Sequence, residues 1–154
     1  MASFYVATDA LIERNGKYLM IKEGKERCRG KWNIPGGGVE HGEKAPEAVK
    51  REVWEETGLK VEEVEGILGV VDGKSTKDGH PVIVFVFKCS VEKGDPDPEF
   101  DEEVIDAEFL SKEEIQEKEL RTTVVEEAFK MEKKEKLETE NFSDYTHPYL
   151  EEDI

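Results

Sequence analysis

A helix predicted from Ala45 to Thr57 divides the strand-forming segments of this 154-residue chain into two groups. Pro46 suits the first turn of a helix, where its missing N–H has no intrahelical partner to lose. Gly58 suits the left-handed position that follows the last turn of many helices. Segments that read as strands precede and follow this helix. The chain therefore combines strands and helices rather than consisting of one type of element.

The segments before the helix predict a β-hairpin and one short strand. Ser3–Ile12 is rich in β-branched and aromatic residues, Asn15-Gly16 is a strong signal for a tight turn, and Tyr18–Ile21 resumes the apolar pattern. Trp32–Ile34 is a candidate short strand, which Pro35 and the three glycines at 36–38 are expected to end. We therefore expect a loop rich in glycine to precede the helix.

Three strands are predicted after the helix. Val61–Val71 and Val82–Val91 are the first two, and the polar residues 72–80 between them predict a loop. The core of the second strand, Val82–Phe87, would be apolar on both faces, which indicates a central place in a sheet. Val104–Leu110 is the last predicted strand.

The C-terminal third predicts helices and a tail. Ser111 followed by Glu114 is a capping-box pattern that opens a helical stretch. The spacing of apolar residues predicts an amphipathic helix over 121–137. We expect one domain at 1–137 and an acidic tail at 138–154, which either docks on the domain or stays mobile.

The charge of the chain excludes one class of partner. Lys and Arg number 22 against 38 Asp and Glu, a formal net charge of −16. Since non-specific nucleic-acid binding depends on Lys and Arg neutralising phosphates, we expect no DNA or RNA partner. No stretch approaches the ~20 apolar residues of a membrane span, and no signal peptide is visible. We expect a cytoplasmic protein with no membrane partner.

Glutamates cluster on one face of the predicted helix. Glu52, Glu55 and Glu56 stand at i, i+3 and i+4, so their side chains lie within one turn of each other. A cation would offset their mutual repulsion, and hard carboxylate oxygens suit Mg²⁺ or Mn²⁺. Arg51 can pair with Glu55 and with a carboxylate from the preceding loop, such as Glu43. A solvated acidic face is the alternative that the three glutamates alone leave open.

The segment 37–59 resembles the signature of the Nudix hydrolases, the MutT-like pyrophosphohydrolases. That signature reads G-x5-E-x7-R-E-U-x-E-E-x-G-U, where U is an aliphatic residue. We call the segment the Nudix box, and every specified position is matched, by Gly37, Glu43, Arg51, Glu52, Val53, Glu55, Glu56, Gly58 and Leu59.

The resemblance implies a fold and a reaction. The fold would be the Nudix-type α/β/α sandwich, in which a mixed β-sheet lies between helices and the box forms a loop, a helix and a second loop. The reaction would be hydrolysis of a diphosphate bond in a nucleoside diphosphate linked to a group X, or in a nucleoside di- or triphosphate, by water attack on phosphorus. The family uses Mg²⁺ or Mn²⁺ for this reaction.

The resemblance also implies roles for residues. Glu52, Glu55 and Glu56 would bind the metal or orient the attacking water. The implied supporting residues are the backbone carbonyl of Gly36 as a further ligand, Glu43 and Arg51 as buttresses of the site, and Glu103 as a metal ligand from a later loop.

The sequence limits the range of possible substrates only by excluding some classes. Family members that cleave ADP-ribose usually carry a proline after the box, near the position of Lys74 and Ser75, whereas the first proline here is Pro81. The remaining expectation is a small nucleoside di- or triphosphate, bound by a monomer or homodimer. The alternatives are a hydrolase of an ADP-ribose-type or non-nucleotide diphosphate, and a non-catalytic nucleotide-binding or regulatory module.

Overall fold

A computed structural model describes residues 3–75, 77–100 and 102–134. Its first two strands, β1 (Tyr5–Arg14) and β2 (Lys17–Glu23), form an antiparallel hairpin. Asn15 and Gly16 connect them with φ angles of 52° and 75°, the left-handed conformation that Asn and Gly adopt most readily. The predicted hairpin is therefore confirmed, with both strands extending two residues beyond their predicted ends.

Within the described residues, seven strands form one mixed sheet. Its main path runs β3–β2–β1–β6–β5, with β4 paired to β1 and β7 paired to β2. The pair β1–β6 is parallel and the other pairs are antiparallel. The predicted central position of β6 is confirmed, since β6 lies between β1 and β5. The remaining strands are β3 (Trp32–Asn33), β4 (Gly36–Gly38), β5 (Val61–Lys74), β6 (Pro81–Val91) and β7 (Val104–Leu110).

Helices cover both faces of the sheet: α1 (Ala45–Thr57) lies on one face, and α2 (Lys112–Gln116) and α3 (Val124–Glu132) lie on the other. Strand β1 alternates between the two cores, because successive side chains of a strand point to opposite faces. Ala10 and Ile12 pack in the core of α1, and Leu11 packs in the core of α2 and α3. The arrangement is the predicted α/β/α sandwich.

The glycines at 36–38 form a strand, which corrects the prediction that they only end one. Gly36, Gly37 and Gly38 pair in antiparallel register with Asp9, Thr8 and Ala7 of β1. A side chain on Gly36 would overlap atoms of Asp9 and Thr8, so the absence of a Cβ is what allows the two backbones to pair. This close contact between the two backbones places the start of the Nudix box against β1.

Further boundaries differ from prediction, among them the end of α3, which lies at Glu132 and not at residue 137. Strand β5 continues to Lys74, because residues 72–74 keep their antiparallel pairing with β6. Helix α3 begins at Val124 rather than at Arg121, because the N–H of Arg121 donates to the carbonyl of Trp32 instead of starting a helix. Residues 135–137 and the predicted tail at 138–154 lie outside the described residues, so the proposed domain division stays a prediction. No helix within the described ranges has the length and apolar character needed to cross a bilayer.

Candidate functional site: the Nudix box and its cleft

Arg51 holds the loop and the helix of the box together. Its Nε donates to Glu43 Oε2 at 2.8 Å and its Nη2 donates to Glu43 Oε1 at 3.1 Å, a two-pronged contact between one side chain on α1 and one in the preceding loop. Its Nη1 donates to Glu52 at 2.8 Å and to Glu55 at 3.2 Å. A hydrogen bond from Nη2 to the carbonyl oxygen of Gly38 at 3.0 Å extends the network to β4.

These contacts change the proton affinity of the groups involved. The Arg51 guanidinium holds the pKa of Glu43 below its usual range, and Glu43 in turn raises the pKa of Arg51. Both groups are therefore charged near neutral pH. The two pairings predicted for Arg51, with Glu43 and with Glu55, are both present.

Glu56 is the buried member of the glutamate cluster. Its side chain is 6% exposed, and its Oε1 accepts a hydrogen bond of 2.7 Å from the backbone N–H of Gly36. Burial raises the pKa of Glu56 well above its usual range, and the nearby carboxylates of Glu52, Glu23 and Asp9 raise it further. The alternative of a solvated acidic face therefore does not describe Glu56, although it describes Glu55, whose side chain is 43% exposed.

Glu52 lies against the backbone of β4. A Cβ added to Gly37 would come within 2.5 Å of the Glu52 carboxyl carbon. Burial raises the pKa of Glu52 despite its contact with Arg51, which acts in the opposite direction. The absence of a side chain on Gly37 thus lets the carboxylate of Glu52 come close to β4.

Asp9 is a site residue that the sequence analysis missed. It lies on β1 directly opposite Gly36 and its side chain is only 8% exposed. Burial raises the pKa of Asp9 to about 7, the attraction of Arg121 opposes this, and Glu23 and Glu52 add to it. The available signal was an isolated carboxylate between Thr8 and Ala10 in a strand that otherwise reads as buried.

Asp9 makes the stability of the metal-free protein depend on pH. Its raised pKa means that the folded state retains a proton that the unfolded state releases, so stability falls as pH rises from about 4 to about 7. We expect Asp9→Asn to raise the free energy of unfolding at pH 8 by on the order of 2–4 kcal/mol, and to change it little at pH 4. Thermal unfolding in chelator across this pH range measures the difference between the two proteins.

The matched control is Asp95→Asn, the same substitution at an exposed loop position. It should leave the pH dependence of unfolding as in the wild type. An Asp9→Asn variant whose stability follows the wild type at every pH would contradict the buried, protonated state assigned to Asp9.

A buried ion pair lies beside these acids. Glu23, at the end of β2, is 2% exposed, and its Oε1 accepts a hydrogen bond of 2.7 Å from Arg121. Neither residue belongs to the box, and the sequence analysis assigned no role to either. The single signal was Glu23 itself, a carboxylate at the end of an apolar strand.

A cleft of about 880 Å³ has Asp9 in its lining. The three glycines of β4 also line it, together with five cationic side chains: Lys25, Arg27, Lys74, Lys77 and Arg121. Its apolar lining includes Val71, Val82 and Val84 of the sheet and the exposed aromatic side chains of Phe4 and Tyr5. The cleft thus offers cationic, acidic and apolar surfaces to one ligand.

Glu103 contacts the loop between β2 and β3. Its carboxylate is 3.4 Å from Lys25 Nζ and its side chain is 62% exposed. Its backbone carbonyl accepts a hydrogen bond from Gly24. The structure thus places Glu103 beside a cation of the cleft, and its assignment as a metal ligand stays a prediction.

The donor set fits a hard divalent cation in its chemistry. Glu52 and Glu56 bring carboxylate oxygens close to β4, and their mutual repulsion, together with that of Asp9, is what a cation would relieve. As placed, no three acidic, histidine or cysteine side chains of the described residues surround one point. Glu52 and Glu55 both point to Arg51 instead, so ion binding requires rotation of these side chains.

Comparison with known proteins gives a family match over most of the chain. The model of the NUDIX domain family matches residues 4–132. The chain is 38% identical over 110 residues to a nudix hydrolase of Caenorhabditis elegans, and 41% identical over 90 residues to the ADP-ribose pyrophosphatase of Methanocaldococcus jannaschii. These matches cover 70% and 58% of the chain, but only 28% and 53% of the two relatives.

A solved structure gives the same result for the fold. A NUDIX hydrolase from Nitrosomonas europaea superimposes with a TM-score of 0.77 at 31% sequence identity. The superposition covers 85% of this chain and 89% of that one.

Proposed function

The chain belongs to the Nudix hydrolase family, and on that basis we propose that it hydrolyses a diphosphate bond in a nucleoside diphosphate linked to X, or in a nucleoside di- or triphosphate. The observation that carries the proposal is the arrangement of α1. Arg51 fixes Glu43, Glu52 and Glu55, and Glu56 is buried against Gly36, a residue that lines the cleft.

We assign the acids to a site for Mg²⁺ or Mn²⁺. Its ligands would be Glu52, Glu55, Glu56 and the backbone carbonyl of Gly36, with Glu103 as a candidate from the opposite loop. A bound divalent cation supplies charge neutralisation of the diphosphate and polarisation of water for attack. Local positive charge of this kind is what a polyphosphate needs on a protein of net charge −16.

The residues of the chain position this chemistry. Arg51 holds Glu52 in one orientation through a charge-assisted hydrogen bond, and Glu43 fixes the plane of the Arg51 guanidinium. Gly36 N–H holds one oxygen of Glu56, which leaves the second oxygen to bind the ion or orient the attacking water. In the reaction this water forms a bond to phosphorus while the bridging P–O bond breaks.

The cleft supplies binding surface for the rest of the substrate. Lys25 and Arg27 can attract phosphate oxygens, and the apolar lining formed by Val82 and Val84 can contact a base or another apolar part of the ligand. Its volume lies within the usual range for small-molecule sites. A nucleoside carrying a diphosphate matches this combination of surfaces.

Two alternatives to this proposal were predicted from the sequence. A non-catalytic nucleotide-binding module is disfavoured, because every acidic position of the box is present. An ADP-ribose-type substrate is favoured by the similarity to the archaeal ADP-ribose pyrophosphatase, although the proline usual in that group is missing near Ser75.

A substrate panel tests the proposal. It contains ADP-ribose, ribonucleoside and deoxyribonucleoside di- and triphosphates, and oxidised guanine nucleotides, each with Mg²⁺ and with Mn²⁺. We expect release of phosphate, pyrophosphate or a nucleoside monophosphate from at least one of them. Saturable binding without any release would instead support the binding module.

A further inference from the structure

The Arg121–Glu23 ion pair joins two separate parts of the fold. Glu23 ends β2, whereas Arg121 lies in the connection between α2 and α3. The backbone of this connection also pairs with β3: Trp32 N–H donates to the carbonyl of Glu119, and Arg121 N–H donates to the carbonyl of Trp32, both at 2.8 Å. Side chain and backbone thus attach the connection to the sheet beside the cleft.

The attached connection forms one wall of the cleft. Arg121, Thr122, Thr123 and Val124 all line it. Thr123 is the N-terminal flanking residue of α3, so the position of this wall and the start of the helix are set together. The helix glutamates, by contrast, lie on α1, on the other face of the sheet.

Arg51 and Arg121 each interact with a different set of acids near the site. Arg51 contacts Glu43, Glu52 and Glu55, and Arg121 is bonded to Glu23 and also attracts Asp9. Removing Arg121 alone would leave Glu23 buried without its cation, next to other acids. Removing both partners together leaves the net charge of the protein unchanged.

Stability alone is a weak explanation for this pair. Because desolvation of two charges can exceed their attraction, a buried ion pair is often no more stabilising than apolar side chains of similar size. The pair differs from an apolar contact in its directional hydrogen bond, which holds the connection in one position relative to β2. A fixed position of this connection matters most where its residues contact a ligand.

We infer that Arg121 and Glu23 are positioning residues that hold the cleft wall at 121–124 in place for substrate binding. The wall is then preorganised, so that binding does not have to order it. The inference rests on the proposed function for its ligand, a nucleoside diphosphate, but the position of the wall can be measured without any ligand.

The test compares Arg121→Met with the double variant Arg121→Met/Glu23→Met. We expect the single variant to lose about 6–12 °C in melting temperature, because it leaves Glu23 buried and unpaired. We expect the double variant to recover most of that loss. Arg29→Met, at an exposed arginine of the neighbouring loop, is the matched control and should resemble the wild type.

Two readouts separate positioning from stability. In the double variant we expect amide hydrogen exchange of residues 119–124 to be roughly tenfold faster than in the wild type, and KM for the substrate found in the panel to rise roughly tenfold with kcat within about threefold. If the single variant does not fold, the double variant still carries both measurements.

The outcomes distinguish the two proposals. Unchanged exchange at 119–124 in a double variant of restored stability overturns the inference, whatever its KM. Wild-type KM in that variant also overturns it. If the wild type hydrolyses no diphosphate, the proposed function fails, and the exchange measurement alone decides the role of the ion pair.

Discussion

Replacing Glu56 by glutamine should lower kcat by roughly 10²–10⁴, the usual loss when a positioned catalytic group is removed. Glutamine keeps the size of the side chain and can still accept the hydrogen bond from Gly36 N–H. It removes the negative charge that a divalent cation requires. In chelator, the melting temperature of this variant should equal or exceed that of the wild type, because one buried carboxylate no longer repels Glu52, Glu23 and Asp9.

The control for this prediction lies on the same helix. Glu47 lies in the first turn of α1, more than one helical turn from the cluster, and its Oε2 accepts a hydrogen bond of 3.0 Å from the N–H of Lys44. Glutamine can replace it in that capping contact, so Glu47→Gln should retain wild-type activity and stability. Equal kcat values for the two variants would rule out the role assigned to Glu56.

Removal of divalent cations should lower the turnover rate at least about 10²-fold, and addition of Mg²⁺ or Mn²⁺ should restore it. The reason is the composition of the site, in which carboxylates lie close together and Arg51 is the cation bonded to Glu52 and Glu55. The same ions should raise the melting temperature, because a ligand that binds only the folded state stabilises it. Activity and thermal unfolding in EDTA, then in excess Mg²⁺ or Mn²⁺, measure both effects.

Ionic strength has to be matched in this experiment, since salt also screens repulsion between acids. NaCl at equal ionic strength should restore neither activity nor the full gain in melting temperature. In Glu56→Gln the gain produced by Mg²⁺ should be smaller than in the wild type. Full turnover in excess chelator would exclude the metal-dependent reaction.

Helices that begin or end at a proline, a glycine or a capping residue could be predicted from those residues alone. Helix α1 has the predicted bounds, because Pro46 lies in its first turn and Gly58 has the left-handed φ of 72° that ends it. The capping box of Ser111 and Glu114 opens α2 as predicted. Strand β4 was missed because its three glycines have no strand propensity of their own. They pair only because β1 lies beside them.

The site likewise contains some residues whose proximity follows from local spacing and others whose proximity depends on the tertiary fold. Glu52, Glu55 and Glu56 belong to one helix, so their spacing alone predicts that they share a face. Asp9 and Arg121 come from segments far apart in sequence, and their proximity depends on how β1, β2 and β3 pair. A single sequence contains no spacing rule for such contacts. Burial of a lone carboxylate in an apolar strand is the only local indication.

The parallel pairing of β1 with β6 has a consequence for biosynthesis. Tyr5 lies opposite Val82 in this register, so the ribosome releases β1 long before its neighbour exists. Until then the hairpin of β1 and β2 exposes an unpaired edge, which is a template for association with other chains. Pairing across such a sequence separation is also slow, because a large loop must close first. Yield during expression should therefore depend on growth temperature and chaperone supply more strongly than on the stability of the finished fold.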